Sequence, residues 1–309
     1  MMNIILATGA DYMSIPAAQK LKNAGMLACI VIPGKHKQRL MQAFLQAGFT
    51  EDIIYPVYKD DFAQVFIDLT EQYNANSVFV ITFPWQIPSD VLAAPEFGFI
   101  NFHPGLIPLY KGADPIFWQI RNREQYGGIT VHRMTEELDA GPVIFEHKIP
   151  IIPGETYGIH HVRLGIAAAD IVLKVAEAVQ SGTSAGQDPG EPTPYFKKPT
   201  RQQVSINWEQ HTAQEIEALV NAANPKYNGA FTSIRNMQVS ILDTSFADIT
   251  NPPGETAPGT IIYADALYGL IVACKGGDYL RINTFCMPEG YLSGSKMFTM
   301  GFNTGEKFY

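Results

Sequence analysis

The segment Asn101-Phe-His103-Pro-Gly-Leu-Ile-Pro-Leu-Tyr-Lys-Gly-Ala113 sets an amide and an imidazole two residues apart, at the end of an apolar run. In extended backbone, residues i and i+2 leave the same face. Both side chains therefore point together into whatever lies beyond the run. Pro104 and Pro108 restrict the chain that follows. A second segment, Glu136-Glu-Leu-Asp-Ala-Gly141, offers Asp139 in what reads as a loop between two strands, within reach of the histidine. These three groups suit acyl transfer to an amine. Asp139 can orient His103 and raise its basicity. His103 can move protons as the amine attacks. Asn101 can donate to the developing oxyanion, a contribution of about 3–4 kcal/mol per donor. No Ser or Cys is needed when the amine is itself the nucleophile.

Such a site needs a rigid frame, and the pattern supplies one. Short apolar runs at 3–8, 27–32, 77–82 and 98–102, several closed by Gly or Pro, read as strands buried on both faces. Helix-like segments lie between them at 15–24, 37–47 and 61–74. This alternation predicts a mostly parallel sheet with helices on both sides, its active site beyond the carboxyl ends of the strands. Gly128–Met134 and Pro142–Pro150 read as a strand pair joined by the Asp139 loop. Ala168, Ile171, Val172, Val175, Ala178 and Val179 mark one face of a helix closed by Ser181-Gly182. Residues 184–200, rich in Pro, Gly and charge, read as a surface linker. A helix at 213–223 follows. Short strand-like pieces at 239–242, 259–263, 269–273 and 279–282 then suggest a small barrel.

The chain has 309 residues, 46% of them apolar and 17% charged, enough for two domains with real cores. Its formal charge is −8, and no Lys/Arg-dense stripe of the nucleic-acid-binding kind is present. The densest basic cluster, Lys35, His36, Lys37 and Arg39, reads as a solvated helix start. Cys29, Cys274 and Cys286 are widely spaced, without a disulfide or zinc pattern. Neither a signal peptide nor an apolar run of about 18 residues is evident, so the reading is a cytoplasmic protein without a membrane partner.

Asn-x-His-Pro, then Leu-Ile-Pro-x-Tyr-Lys-Gly-Ala, then Ile-Thr-Val-His-Arg-Met, then Leu-Asp-Ala-Gly, resembles the folate-dependent formyltransferases. That family acts on methionyl-tRNA, glycinamide ribonucleotide and sugar amines. Ile206-Asn-Trp208 and Asn228-Gly-Ala-Phe231 extend the resemblance over nearly the whole chain. It implies an α/β fold: a Rossmann-like, mostly parallel sheet over 1–200, including the linker, and an OB-like barrel over 201–309. It implies Asn101, His103 and Asp139 as the catalytic triad and 10-formyltetrahydrofolate as formyl donor. The carrier's pterin would lie against Trp85, Gln86 and Ile87 and against Thr135, Glu136, Glu137, Leu138 and Asp139, largely through backbone. There are departures. Gly105 stands where the family often has Ser. Lys111 stands where it often has Arg, which loses bidentate geometry. Gly9 is followed by no G-x-G-x-x-G, so the fold is no evidence for NAD.

The acceptor is read from charge. Residues 201–309 carry seven Lys/Arg against ten Asp/Glu, and the loop at 33–37 is short. An acidic second domain does not readily follow a phosphate backbone. A small-molecule amine ranks first, most of all an amino sugar on a nucleotide carrier, with methionyl-tRNA as runner-up. Hydrolysis of formyltetrahydrofolate and a catalytically inert binding homologue are the remaining readings. A homodimer is open, and no metal is required. Outside the triad, His132 reads as structural or close to substrate, and His160-His161 as surface histidines. Glu136 and Glu137 read as a solvated loop face; Tyr157, Tyr195 and Trp208 read as packing residues. Trp85 could either stack on the pterin or simply pack.

Overall fold

A computed structural model describes residues 2–182, 186–188, 194–250 and 254–309. Seven strands form the first sheet: β1 (Ile4–Thr8), β2 (Leu27–Pro33), β3 (Ile54–Val57), β4 (Ser77–Ile81), β5 (Phe99–His103), β6 (Tyr126–Arg133) and β7 (Val143–Pro150), in the order β3-β2-β1-β4-β5-β6-β7. The first five are parallel; β6 and β7 join antiparallel. Every residue of β1 and β4 is buried, as continuous apolar runs require of strands covered on both faces. The helices α1 (Ile15–Asn23), α2 (Lys37–Gln46) and α3 (Phe62–Gln72) lie between the strands, each within two residues of its predicted bounds. One strand was not legible: β3 has four residues and contains Pro56, which is tolerated because β3 is an edge. Three further helices follow: α4 (Ser89–Leu92), α5 (Pro115–Arg121) and α6 (Tyr157–Gln180).

The residues cluster into two compact units. One comprises 1–115, 126–150 and 161–196; the other comprises 116–125, 151–160 and 197–309. In the second, α7 (Ala213–Ala223) starts with a capping box, Thr212 and Glu215 each satisfying the other's backbone N–H. Strands β8 (Ala230–Ile234), β9 (Met237–Phe246), β10 (Ile261–Asp265), β11 (Gly269–Ala273) and β12 (Tyr279–Met287) pair antiparallel in the order β10-β11-β12-β9-β8. A short β13 (Gly290–Ser293) pairs with β12 and leads into α8 (Gly294–Thr299). The last residues bond to both edges of this sheet. Ile261 N–H donates to Glu306 O on the β10 side, while Ser233 and Tyr309 exchange two backbone bonds on the β8 side. The chain end thus bonds to both edges of the sheet.

The linker reading falls partly on 184–185 and 189–193, outside the described residues. The described parts are not merely surface chain. Gln187 pairs with Val143, and Phe196 pairs with Gly112. His160 is also not a surface residue. It is fully buried beside Glu155, its Nδ1 3.3 Å from the carboxylate.

Candidate active site

The parallel strand β5 carries Asn101 and His103, and its antiparallel partner β6 faces them residue for residue. The register sets Asn101 opposite His132 and His103 opposite Thr130. Asn101 and His103 thus each have a polar cross-strand neighbour on the same face. Thr130 Oγ1 donates to Gly105 O and accepts the Ile107 N–H, pinning the loop that leaves β5.

His103 is almost completely buried. Its Nε2 donates to the carbonyl of Tyr110 at 2.7 Å. The hydrogen of the neutral ring is therefore on Nε2, and Nδ1 is left with a lone pair. That Nδ1 lies 3.5 Å from Asp139 Oδ1, beyond good hydrogen-bond length but close enough for the carboxylate to attract the ring once it is protonated. Burial lowers the His103 pKa from its ordinary 6.5, opposed by the Asp139 charge and the Tyr110 carbonyl. Burial acts to raise the Asp139 pKa. It is outweighed by His103, His132 and the Gly112 N–H, which hold the carboxyl down at about 2. The pair is then a carboxylate beside a neutral imidazole whose free nitrogen is basic and whose protonated form would be stabilised on the spot.

Several backbone arrangements hold Asp139 there. It adopts φ +52°, a left-handed conformation that Asp tolerates. Its Oδ2 accepts the Gly112 N–H at 2.9 Å. Gly112 is gripped by residue 196. Phe196 N–H donates to Lys111 O, Ala113 N–H donates to Phe196 O, and the Phe196 ring stacks on Tyr110 at 5.1 Å. A Cβ on Gly112 would sit 2.1 Å from Phe196 O, so only glycine permits this approach.

Gly105, the departure from the family's Ser, has its own steric reason. A Cβ there would lie 2.8 Å from Pro115 Cβ, 2.8 Å from Tyr110 O and 2.9 Å from His103 Nε2. Two of these neighbours form the hydrogen bond that fixes the imidazole. Gly105→Ala should therefore cost about 1–3 kcal/mol of stability through overpacking. It should lower kcat about 10- to 100-fold by moving His103. Steady-state kinetics and a melting curve on the variant check both numbers.

The two loops assigned to the carrier are tied together: Gln86 Nε2–H donates to Glu136 O at 2.7 Å. Trp85 packs against Phe62 and Phe83 at centroid distances of 5.2 and 5.3 Å, at the edge of the core. Ile87 is 2% exposed, so its side chain offers a ligand almost no surface. Thr135 Oγ1–H donates to Glu137 O. Leu138, beside Asp139, leaves 46% of its surface exposed. Glu136 and Glu137 remain exposed loop residues.

Sequence reasoning did not single out Thr130, and it gave His132 no role at Asn101. It also placed Tyr195 among packing residues, whereas that side chain is 44% exposed. Burial and the nearby Asp139 charge both push its phenol pKa up. Trp208 and Tyr157 do pack: both are buried, and the Trp208 indole donates to Thr232 Oγ1. Among the described residues no cluster of three or more His, Cys, Asp or Glu could hold a metal ion, and no helix is long and apolar enough to cross a membrane.

Residues 2–176 match the family model described as formyl transferase, and residues 198–303 match that of the formyl transferase C-terminal domain. A methionyl-tRNA formyltransferase of Clostridium beijerinckii is 29% identical over 299 residues, 94% of this chain and 93% of that protein. Among solved structures, HypX of Aquifex aeolicus in complex with tetrahydrofolic acid superposes with a TM-score of 0.69 at 16% identity. All of this chain is covered, and it spans about half of HypX, 51%. WlaRD, a sugar 3N-formyl transferase solved in the presence of dTDP and 5-N-formyl-THF, superposes at 0.62 with 18% identity, covering 91% of this chain and 97% of that one.

Proposed function

The chain belongs to the formyl transferase family and is a folate-dependent formyl-transfer enzyme; from that premise we propose that it formylates a primary amine of a small molecule, an amino sugar on a nucleotide carrier, using Asn101, His103 and Asp139. The residues present suit a folate carrier. The Gln86–Glu136 bond joins its two loops beside Asp139, and Leu138 adds an exposed apolar face that a flat heterocycle can cover. The carrier, when bound, supplies an activated N-formyl group.

The chain's own residues then act in order. Asn101 donates to the formyl oxygen as it gains negative charge. His103 takes the proton of the attacking amine on Nδ1, its Nε2 being committed to Tyr110. Asp139, already ionised, holds the resulting imidazolium through the 3.5 Å contact. His103 then returns that proton to the departing nitrogen. Glu136 and Glu137 put negative charge on the same loop, which favours a cationic amine near the site.

The observation that carries the small-molecule reading is charge. The segment from 201 onward is net acidic, seven Lys/Arg against ten Asp/Glu. Between β2 and α2 there is only a single turn, Gly34–His36, with no basic insertion. The tRNA reading is kept because a relative covering nearly the whole chain is named for that substrate. The two separate in parallel turnover assays with nucleotide-linked amino sugars and with methionyl-tRNA. We expect turnover with an amino sugar, and RNA binding that is weak and collapses with salt. Turnover with methionyl-tRNA alone would reverse the assignment.

A further inference from the structure

The oxyanion role given to Asn101 raises a question of orientation, because an amide can present either its oxygen or its nitrogen. Asn101 Nδ2 lies 3.1 Å from His132 Nε2. The other nitrogen of that ring, Nδ1, lies 2.9 Å from the carbonyl of Arg133. A carbonyl only accepts, so the singly protonated ring carries its hydrogen on Nδ1 and leaves a lone pair on Nε2. That lone pair can face an N–H and cannot face Asn101 Oδ1. His132 is 2% exposed and stands directly across the β5–β6 ladder from Asn101, so its ring has no room to turn away. The second neighbour of Nε2, Asp139 Oδ1, is at 3.7 Å, beyond hydrogen-bond length.

We propose that His132 is a positioning residue for the transfer. Its Nε2 accepts one Nδ2–H of Asn101, so that the remaining Nδ2–H is held as donor toward the reacting oxygen. This rests on the catalytic reading above and adds to it the group that selects the productive face of the amide. Without His132, this hydrogen bond no longer distinguishes the two orientations of the amide, one of which presents Oδ1, an acceptor, to the oxyanion.

The direct test is nitrogen NMR on the ligand-free protein, which requires no acceptor. The expected result is a pyrrole-type Nδ1 and a pyridine-type Nε2 on His132, with a scalar coupling across the hydrogen bond from Asn101 Nδ2 to His132 Nε2. A protonated Nε2, or no coupling, overturns the proposal. The consequence is then read in turnover of 10-formyltetrahydrofolate with whichever acceptor the parallel turnover assays identify. His132→Met, an apolar side chain of similar reach, should lower kcat about 10- to 100-fold, less than loss of the donor itself, with KM for the folate unchanged. His132→Gln, whose Oε1 can accept the same N–H, should recover most of it. In an Asn101→Ala background His132→Met should have almost no further effect, because the interaction is already gone. An equal loss in both backgrounds would show that His132 acts independently of Asn101 and overturn the proposal. A normal rate in Asn101→Ala alone would instead overturn the catalytic reading, so the two failures are separable.

Discussion

Asp139→Asn will lower kcat about 10²- to 10⁴-fold, the range of a lost general-base function, while the protein still folds. The amide keeps one oxygen, which can go on accepting the Gly112 N–H, so the loop stays pinned. What changes is the group facing His103 Nδ1. A carboxylate there favours the imidazolium. An amide Nδ2–H would instead donate to the Nδ1 lone pair and occupy the base. The sign of the titration follows. In the wild type the His103 midpoint lies below 6.5, because burial outweighs the pull of Asp139. Removing that pull must move the midpoint further down, never up. NMR titration of His103 in the two proteins measures this directly. A near-normal rate, or an upward shift, would remove Asp139 from the mechanism.

The second large effect is expected of His103→Ala. Here the proposed base is lost, and kcat should fall about 10²- to 10⁴-fold. Two structural consequences accompany it. The Tyr110 carbonyl loses its 2.7 Å donor in a buried setting, which costs about 1–3 kcal/mol. Asp139 loses the largest of the attractions that hold it near 2, so its pKa rises. Binding of 5-formyltetrahydrofolate, an unreactive mimic of the donor, should change little, because the loops tied by Gln86 and Glu136 do not depend on the imidazole. Calorimetric titration and turnover on one preparation separate these effects. Weakened folate binding with retained turnover would contradict the assignment of His103.

Much of the fold was legible in the sequence. Apolar runs such as 77–82 have no polar face to offer water, so they had to be strands buried on both sides, and α1, α2 and α3 had to lie between them. The i, i+2 spacing of Asn101 and His103 guaranteed a shared face on any strand. Asp139 was legible as a carboxylate on a loop between two strands; its left-handed backbone and the close approach that requires Gly112 were not. The strand β3 was missed because four residues with a proline give little periodic signal, and His160 was misread because burial of a polar side chain depends on a partner, Glu155, and on surrounding packing.

What the tertiary structure alone decided is how these groups meet. Local sequence does not encode the register between β5 and β6, and a slip of one residue would have turned His132 and Thr130 to the opposite face. Nor does it encode that the loop after β5 returns the Tyr110 carbonyl to His103 Nε2, or that residue 196 comes back to clamp Gly112 beneath Asp139. The amino-acid types supplied an amide, an imidazole and a carboxylate. Pairing across the ladder and the return of two distant loops decided which ring nitrogen is free, and therefore which atom can carry the proton.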